Sequence, residues 1–272
     1  MPKILSKKQL NPDVYEFIVD LPLVAAKAKP GQFVMVRINE FGERIPLTIA
    51  DSDKEKGTIT IVFFVVGRTS WELSNLKEGD EIKDIAGPLG TPMEIKNFGN
   101  IVILGGGLGV APIYPEVKAL FEAGNSLDII IGFRTKNLIF WEDRFKKYGT
   151  LHLMTDDGSA GEKGLVTEKL QQLIKEKKID RVIAIGPVPM MEAVANTTRE
   201  SRIPTIVSLN PIMVDGTGMC GACRVSVGGK TYFGCVDGPE FDAHQVDFAE
   251  LKQRLRAYCD QERYDYERVK SQ

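Results

Sequence analysis

The sequence predicts a small β-barrel, then a doubly wound α/β domain, and then a short cysteine-bearing loop and hairpin. Residues 1–97 contain short runs rich in β-branched and aromatic residues, separated by Pro and Gly turns, which is typical of a barrel. Residues 98–210 instead contain continuous apolar runs that alternate with helical segments, which indicates a parallel sheet covered on both faces. Three of the four cysteines then lie between residues 220 and 235, in a glycine-rich stretch.

Composition argues against several classes of partner. The chain has 272 residues, and its net charge of −2 gives no support for binding to nucleic acid or to an anionic membrane surface. We find no N-terminal signal and no apolar run of the ~20 residues that a membrane span needs, so we expect a cytoplasmic protein. In a reducing compartment, clustered cysteines favour a metal or redox site over disulfides.

The same patterns predict the elements one by one. In the first segment we expect strands at 14–19, 33–38 and 58–66 and one short helix at about 70–76. In the second segment we expect strands at 101–104, 127–132, 151–154, 182–185 and 205–209, and helices at 111–122, 167–177 and 190–200.

The tail from about residue 246 is charged and has apolar residues at helical spacing. Phe248, Leu251, Leu255 and Tyr258 carry that spacing. We expect a helix that packs on its own domain rather than one that docks on a partner. Cys259 stands apart from the other cysteines on this segment, and we interpret it as an incidental free thiol.

The cysteine loop is the most informative stretch. Cys220, Cys223 and Cys235 fit the plant-type [2Fe–2S] spacing of C-x4-C-x2-C followed by a more distant cysteine, except that Asp215 stands in the first position. Glycine-rich backbone can fold tightly around an inorganic centre and direct N–H groups at it. A hairpin turn at residues 228–229 would bring Cys235 back beside the other two cysteines.

A structural zinc ion held by the three cysteines and Asp215 is the competing interpretation. The x4 spacing and the flanking glycines favour iron–sulfur, since zinc requires neither. A carboxylate is a harder donor than a thiolate, so Asp215 either ligates the cluster or hydrogen-bonds the loop backbone.

Two stretches of the first segment have the chemistry of a flavin site. Arg44 can clamp a phosphate, and the hydroxyl of Thr48 can hydrogen-bond a flavin ring or ribityl chain. Thr69 and Ser70 would lie at the N-terminus of the short helix, where free N–H groups favour a diphosphate. Taken alone, these residues are better explained by a Pro-containing strand edge and an ordinary N-cap.

A glycine-rich turn follows the first apolar strand of the second segment. Residues 105–109 join that strand to a helix, an arrangement that binds pyrophosphate by close backbone approach. The fingerprint G-x-G-x-x-G is not met, because Val110 replaces its last glycine. The next strand runs into Arg134 and Lys136 rather than an acidic residue, which favours a phosphate there. Residues 186–190 form another strand–helix junction, either a ligand site or a simple turn.

This order of barrel, sheet and cysteine loop resembles the ferredoxin–NADP reductase superfamily, in particular its branch of dihydroorotate dehydrogenase electron-transfer subunits. The resemblance covers nearly the whole chain. The family's flavin motifs match Arg44, Pro46, Leu47, Thr48, Phe63, Phe64, Val65, Gly67, Thr69 and Ser70, with Thr69 where glycine is usual. The nicotinamide motifs match Gly106, Gly107, Gly109, Ala111, Pro112, Gly186, Pro187 and Met190, with Ile185 where cysteine is common. Asp157 lies in a further stretch of the branch, and Arg134 is a candidate nucleotide contact.

The resemblance implies an FAD-binding barrel at 1–97, an NAD(P)-binding domain at 98–210, a [2Fe–2S] module at 211–245 and a helical tail at 246–272. NAD(H) would exchange a hydride with FAD, and electrons would leave through a cluster held by Asp215, Cys220, Cys223 and Cys235. A flavin is needed there, because hydride chemistry moves two electrons and a cluster carries one. The resemblance also implies a heterodimer with a larger flavin/[4Fe–4S] subunit.

The aspartate in the first cluster position separates two relatives. The dihydroorotate-type subunits have cysteine there, whereas aspartate resembles the small subunit of the electron-bifurcating NADH-dependent reduced ferredoxin:NADP oxidoreductases. We take the second as the leading hypothesis and keep the dihydroorotate-type subunit and a zinc module without redox activity as alternatives. Arg134 and Lys136 favour the 2′-phosphate of NADP, while the family favours NAD(H), which we follow.

Overall fold

The first segment forms a closed antiparallel barrel in the computed structural model, which describes residues 1–271. Its six strands have the order β1-β2-β5-β4-β3-β6. They are β1 Lys3–Asn11, β2 Val14–Asp20, β3 Phe33–Arg37, β4 Arg44–Asp53, β5 Thr58–Phe64 and β6 Asp84–Leu89, with helices α1 Pro22–Ala25 and α2 Arg68–Asn75. Ile4 exchanges backbone hydrogen bonds with Gly79 and Asp80, at 2.8 and 2.9 Å, which joins β1 to the segment before β6 and closes the sheet.

The second segment forms a sheet of the predicted doubly wound type. Its order is β10-β9-β8-β7-β11-β12-β15, so the strand order reverses between β7 and β11, where open α/β sheets bind ligands. The strands and helices of this segment are β7 Asn100–Gly106, α3 Val110–Glu122, β8 Ser126–Phe133, α4 Glu142–Phe145, β9 Thr150–Thr155, β10 Glu162–Lys163, α5 Val166–Glu176, β11 Arg181–Ile185, α6 Val188–Arg199 and β12 Thr205–Ser208. The predicted fold class is confirmed.

The cysteine module is built around a hairpin and shares the sheet of the second segment. Strands β13 Arg224–Val227 and β14 Lys230–Phe233 pair around Gly228 and Gly229, whose φ angles of 59° and 73° suit the tight turn that a hairpin prefers. Strand β15 Glu240–Asp242 then pairs antiparallel with β12. The cysteine module is therefore joined to the nucleotide-binding sheet by backbone hydrogen bonds.

The C-terminal segment forms two helices rather than one. Helix α7 Phe248–Leu255 buries Phe248 and Leu251 and lies against β13 and α6, as expected for a helix that packs on its own domain. Helix α8 Cys259–Lys270 buries none of its residues and lies against α2 of the barrel instead. Its sequence is too polar to provide an apolar stripe, so it does not continue the packing of α7. Within residues 1–271, no helix combines the length and the apolarity that crossing a membrane would require.

The barrel and the nucleotide-binding domain are joined by a buried carboxylate. Glu16 Oε2 on β2 accepts hydrogen bonds from Trp141 Nε1 at 2.8 Å and from Arg144 Nη2 at 3.0 Å. The Arg144 guanidinium also lies 3.9 Å from the centroid of the Trp141 ring. Trp141 adopts a φ of +60°, a left-handed conformation that is costly for a bulky residue and persists only when its surroundings demand it. These contacts fix the orientation of the two domains.

We expect the substitution Glu16→Gln to lower the free energy of unfolding by about 2 kcal/mol, because it removes the charge that Arg144 pairs with across the interface. Denaturant unfolding followed by circular dichroism would measure the change. The control is Glu40→Gln, whose ion pair with Lys83 lies at an exposed position, and whose loss should cost less than about 0.5 kcal/mol. Equal effects of the two substitutions would contradict a special role for Glu16.

Candidate functional site

The flavin motif lies where β4 changes its strand partner. Residues 44–48 of β4 pair with β3, whereas residues 49–53 pair with β5. Strands β4 and β5 therefore separate beyond the Ile49–Ile61 pair. Phe63 and Phe64 at the end of β5, and Val65 directly after it, lie next to this separation. Phe64 is 40% exposed on that edge. The separation leaves main-chain groups of residues 44–48 open to a planar ring.

The N-terminus of α2 lies beside the start of β4 and fits a diphosphate. Ser70 Oγ accepts hydrogen bonds from the N–H groups of Val66 and Gly67, both at 3.0 Å, and so caps the turn. Thr69 Oγ1 donates to Glu43 Oε2 at 3.2 Å, which places the residue before Arg44 against this helix end. Arg44 is exposed and forms no salt bridge within residues 1–271, so its guanidinium is available to a phosphate.

Gly67 supports a diphosphate site here, because the fold does not require glycine at this position. Its φ of −155° is extended backbone that any residue adopts, and a Cβ built on Gly67 would meet no atom within 4 Å. Neither conformation nor packing therefore requires glycine at this position. The open space in front of the helix N-terminus is where a diphosphate would lie, since free N–H groups and the helix dipole favour an anion there.

The nicotinamide motif joins the ends of β7 and β11. A short 3-10 turn at Gly107–Gly109 follows β7, and α3 starts directly after it. A side chain on Gly109 would collide with the carbonyl group of Ile185, and one on Gly106 would collide with Met190. Glycine at both positions thus allows the two loops to touch. The turn also lies against β5, so the nicotinamide and flavin motifs face each other across the domain interface.

Arg134 and Asp157 lie at the ends of β8 and β9, on the other side of β7 from Met190. The N–H of Lys136 donates to Ser159 Oγ at 2.8 Å, and Ser159 Oγ donates to Asp157 Oδ1 at 2.6 Å. These hydrogen bonds from Ser159 lower the pKa of the exposed Asp157 carboxyl. The two loops are therefore joined by Ser159, beside the rest of the nicotinamide motif.

The cysteine loop curls through three left-handed glycines. Gly216, Gly218 and Gly221 have φ angles of 77°, 85° and 67°, which other residues rarely adopt. A side chain on Gly216 would meet Met35 and Leu89 at 2.5 and 3.0 Å, so glycine lets the loop approach the barrel.

The four candidate ligands fall into two pairs. Cys223 and Cys235 are buried, with their Sγ atoms 3.2 Å apart, and burial followed by the neighbouring thiol raises the pKa of Cys235 to about 12. Cys220 is exposed, and its N–H donates to Asp215 Oδ2 at 2.8 Å. Asp215 Oδ1 also accepts from the N–H of Thr217 at 2.9 Å, the main cause of the lowered pKa of this carboxyl.

This donor set fits a binuclear cluster. Two buried thiols in contact are costly to ionise alone, but a bound metal deprotonates coordinating thiols outright. A [2Fe–2S] cluster divides its four protein ligands between two irons, which matches the division into two pairs. Within residues 1–271, no three His, Cys, Asp or Glu side chains converge closely enough to hold one metal ion. The Asp215 carboxylate accepts the N–H groups of Thr217 and Cys220, so it hydrogen-bonds the loop backbone when no cluster is bound.

Several contacts around these sites have no signal in the sequence. The contact of Glu16 with Trp141 and Arg144 has no motif, because the partners are 125 and 128 positions apart in the chain. The packing of Cys223 and Cys235 against Phe33 and Met35 of β3 is equally invisible in the sequence. The glycines at 216, 218 and 221 were the one available signal for the shape of the loop.

Comparison with known proteins agrees with this geometry. Residues 103–196 match the family described as the oxidoreductase NAD-binding domain, and residues 210–247 match the iron–sulfur cluster binding domain of dihydroorotate dehydrogenase B. A Thermotoga maritima protein, named as a homolog of the electron transfer subunit of dihydroorotate dehydrogenase B (NAD(+)), is 51% identical over 98% of this chain and 94% of its own length. The electron transfer subunit of Fusobacterium nucleatum is 34% identical over 88% of this chain and 95% of its own length.

Solved structures give the same result. A chain of an NADH-dependent reduced ferredoxin–NADP oxidoreductase, studied for flavin-based electron bifurcation, matches with a TM-score of 0.94 and 50% identity over 99% of this chain and 98% of that one. An Amycolatopsis cytochrome P450 reductase, at 18% identity and a TM-score of 0.65 over 74% of this chain and 66% of that one, shares the fold alone.

The iron–sulfur match favours a cluster over the zinc alternative. FAD, a [2Fe–2S] cluster and NAD(H), the cofactors expected from the sequence, are those of this family, and the chain is an oxidoreductase subunit. It belongs to the family of dihydroorotate dehydrogenase B electron-transfer subunits and their homologs, within the ferredoxin–NADP reductase superfamily.

Proposed function

We propose that this chain is the small subunit of a cytoplasmic, electron-bifurcating oxidoreductase of the NADH-dependent reduced ferredoxin:NADP type. When bound, the nicotinamide supplies hydride transfer, the flavin converts two-electron into one-electron chemistry, and the cluster carries single electrons. The protein's own residues hold these groups in order along one path. Electrons leave through the cysteine module to a larger flavin/[4Fe–4S] subunit.

The observation that carries the proposal is the position of β3 between two sites. Cys223 and Cys235 lie in one buried apolar cluster with Phe33 and Met35 of β3. Phe33 and Met35 in turn pair across the sheet with Thr48 and Pro46 of the flavin motif. A single strand therefore separates the cysteine pair from the flavin motif, while the glycine turn of the nucleotide site lies against β5 on the other side. These contacts support the order nicotinamide, flavin, cluster.

We assign roles to the residues on this geometry. Arg44 neutralises the diphosphate at the N-terminus of α2, and the main chain of 46–48 with Thr48 binds the flavin ring and ribityl chain. The side chains of residues 63–65 line the flavin edge that faces the nicotinamide. The turn at Gly107–Gly109 and the loop at 186–190 hold the nicotinamide half, whereas Arg134 and Asp157 lie on the adenosine side.

The surface around the cysteine loop fits the partner subunit. Met219 is 89% exposed, Val214 54% and Val236 45%, and they flank the exposed Cys220. Apolar side chains grouped at an electron exit favour a protein partner that covers them. The relatives are named electron transfer subunits, which supports a larger subunit of the same oxidoreductase as the occupant.

Asp215 favours the bifurcating type over a dihydroorotate-type subunit. The 50% identity and 0.94 TM-score to the reduced ferredoxin–NADP oxidoreductase chain support the same choice. The 51% identity to the Thermotoga maritima homolog of a dihydroorotate dehydrogenase B subunit supports the second candidate, a dihydroorotate-type electron-transfer subunit. Co-purification of the native partner separates them, since one predicts a large flavin/[4Fe–4S] subunit and the other a dihydroorotate-oxidising subunit.

We expect the substitution Asp215→Cys to keep the cluster but to change its EPR g-values and midpoint potential, because ligand type and charge set both. EPR-monitored redox titration of the purified protein would measure them. The control is Asp237→Asn in the same module, where Oδ2 accepts from the N–H of Phe233 at 2.7 Å and no ligand role is proposed. Spectra and potential that do not change with Asp215→Cys would show that Asp215 only hydrogen-bonds the loop.

We expect the substitution Gly67→Ala to leave the fold intact and to weaken FAD binding roughly tenfold, about 1.4 kcal/mol, because the new methyl group enters the space assigned to the diphosphate. The loss of a glycine N-cap should cost the apoprotein less than about 1 kcal/mol. Flavin content and titration of the apoprotein with FAD would measure the effect. Ser201→Ala is the control, because Ser201 is exposed in the turn after α6 and is remote from the flavin motif. Unchanged FAD affinity in Gly67→Ala would contradict the assignment.

We expect the substitution Met219→Asp to weaken binding of the large subunit at least about tenfold, because it places a charge in the apolar surface that the partner covers. Co-expression of both subunits and size-exclusion chromatography would measure the complex, with cluster content checked first by EPR. Leu23→Asp on α1 is the matched control, because Leu23 is 82% exposed on the barrel, outside the cysteine module. A complex that survives Met219→Asp as well as Leu23→Asp would place the partner elsewhere.

A further inference from the structure

Two acids that no cofactor site uses, the fully buried Glu116 and the half-buried Glu240, meet where the parts of the molecule join. Glu116 on α3 is fully buried, and Glu240 on β15 has its Oε1 shielded from solvent. Their carboxyl groups lie within hydrogen-bonding distance of each other. Within residues 1–271, neither oxygen of Glu116 nor Oε1 of Glu240 receives a hydrogen bond from an N–H or O–H donor.

This arrangement requires a proton between the two acids. Ionised carboxylates only accept hydrogen bonds, and two of them in contact in a buried place repel each other. A protonated carboxyl group, in contrast, donates one strong hydrogen bond to its ionised neighbour. The contact is therefore stable only when at least one of the two groups is protonated.

The pair stands at the meeting point of three parts of the chain. Helix α3 begins at the glycine turn of the nucleotide site and packs along β4 of the barrel, where Lys118 pairs with Asp51 at 2.9 Å. Strand β15 belongs to the cysteine module. Gly31 of the barrel lies against the pair as well, since a Cβ built there would be 2.9 Å from Glu240 Oε1.

We propose that Glu116 and Glu240 share a proton that holds β15 and the cysteine module against α3 and the barrel, and that this docking weakens as the pH rises. The inference does not depend on which partner or substrate the oxidoreductase uses. It assigns the two acids as positioning residues, remote from the reacting atoms.

The charges around the pair agree with this direction. Burial is the largest cause of both shifts. It raises the pKa of Glu240 to about 7. It raises the pKa of Glu116 well above its usual range, and the charge on Glu240 raises that pKa further. Arg181 on β11 lowers the pKa of Glu240 but forms no salt bridge with it; its guanidinium lies 3.7 Å from the centroid of the Phe98 ring. Burial lowers the pKa of Arg181, and the charge on Glu94 opposes that shift.

The direction in which docking changes with pH follows from proton linkage. Above the usual carboxyl pKa of 4.5, an opened or unfolded chain has released protons that the docked pair still binds. The docked state is therefore favoured at low pH and loses stability as the pH rises from there towards 7 and beyond. One linked proton changes the opening equilibrium by about tenfold per pH unit within that window.

The test is carried out on the purified subunit with its flavin and cluster. Infrared difference spectra of the wild type against Glu116→Gln should contain the carbonyl stretch of a buried protonated carboxyl group. Amide exchange should then report the docking: the N–H groups of Leu209 and Thr91 bond the carbonyls of Pro239 and Gly238, beside β15, at 2.8 and 2.7 Å. After correction for intrinsic exchange, their opening should rise about tenfold per pH unit between pH 5 and 7. The N–H of Leu21, bonded to Gly57 in the barrel, is the internal reference.

Glu116→Gln should abolish that pH dependence, because the amide donates permanently to Glu240. Glu240→Gln is the second variant if the first does not fold, and it should have the same effect. Glu122→Gln, at an exposed position of the same helix, should behave as the wild type. A spectrum without a protonated carboxyl band, or a pH dependence that both buried variants retain, would overturn the proposal.

Discussion

The packing of Cys223 and Cys235 on β3 is the contact on which the order of the sites depends. Phe33 and Met35 bury their side chains in one apolar cluster with the two thiols and Met213, and each such side chain contributes about 1.5–3 kcal/mol of hydrophobic stabilisation. The neighbours of Phe33 and Met35 across the sheet are Thr48 and Pro46. The same apolar contact that attaches the module to the barrel thus sets the short separation between the cysteine pair and the flavin motif.

Helix α3 connects the remaining parts. It begins at the glycine turn, packs along β4, and carries Glu116 to the junction with β15. A displacement of this helix would therefore displace parts of the nucleotide, flavin and cysteine sites together. The contact of Glu16 with Trp141 and Arg144 restrains the other side of the interface, so that the barrel and the sheet present their motifs to each other in one orientation.

Glycines in this protein serve two separate purposes. Gly109 and Gly216 allow backbone or side chains of other segments to approach closely, and the fold would be displaced by any larger residue. Gly67 has no such constraint, since its conformation is ordinary and its surroundings are open. A glycine that the fold does not need is best explained by a ligand, which is why Gly67 carries more weight for the flavin site than the glycines that packing explains.

Local signals were sufficient for the fold class and for a choice of candidate site residues. Periodicity and turn residues predicted the barrel, the parallel sheet and the hairpin at 228–229, because these depend on contacts close in sequence. The predicted helices at 70–76, 111–122, 167–177 and 190–200 correspond to α2, α3, α5 and α6 within a few residues. The cysteine spacing and the glycine turn likewise identified the candidate ligands and the nucleotide loop without any long-range information.

Only the tertiary structure decided how these sites are arranged. The position of the cysteine pair on β3, the addition of β15 to the sheet, the crossing of α8 to the barrel and the meeting of Glu116 with Glu240 all join segments far apart in sequence. Such contacts depend on how packed layers meet, and no periodic pattern encodes them. The sequence by itself determined which residues are candidates for each site, and the three-dimensional packing determined where those residues lie relative to one another.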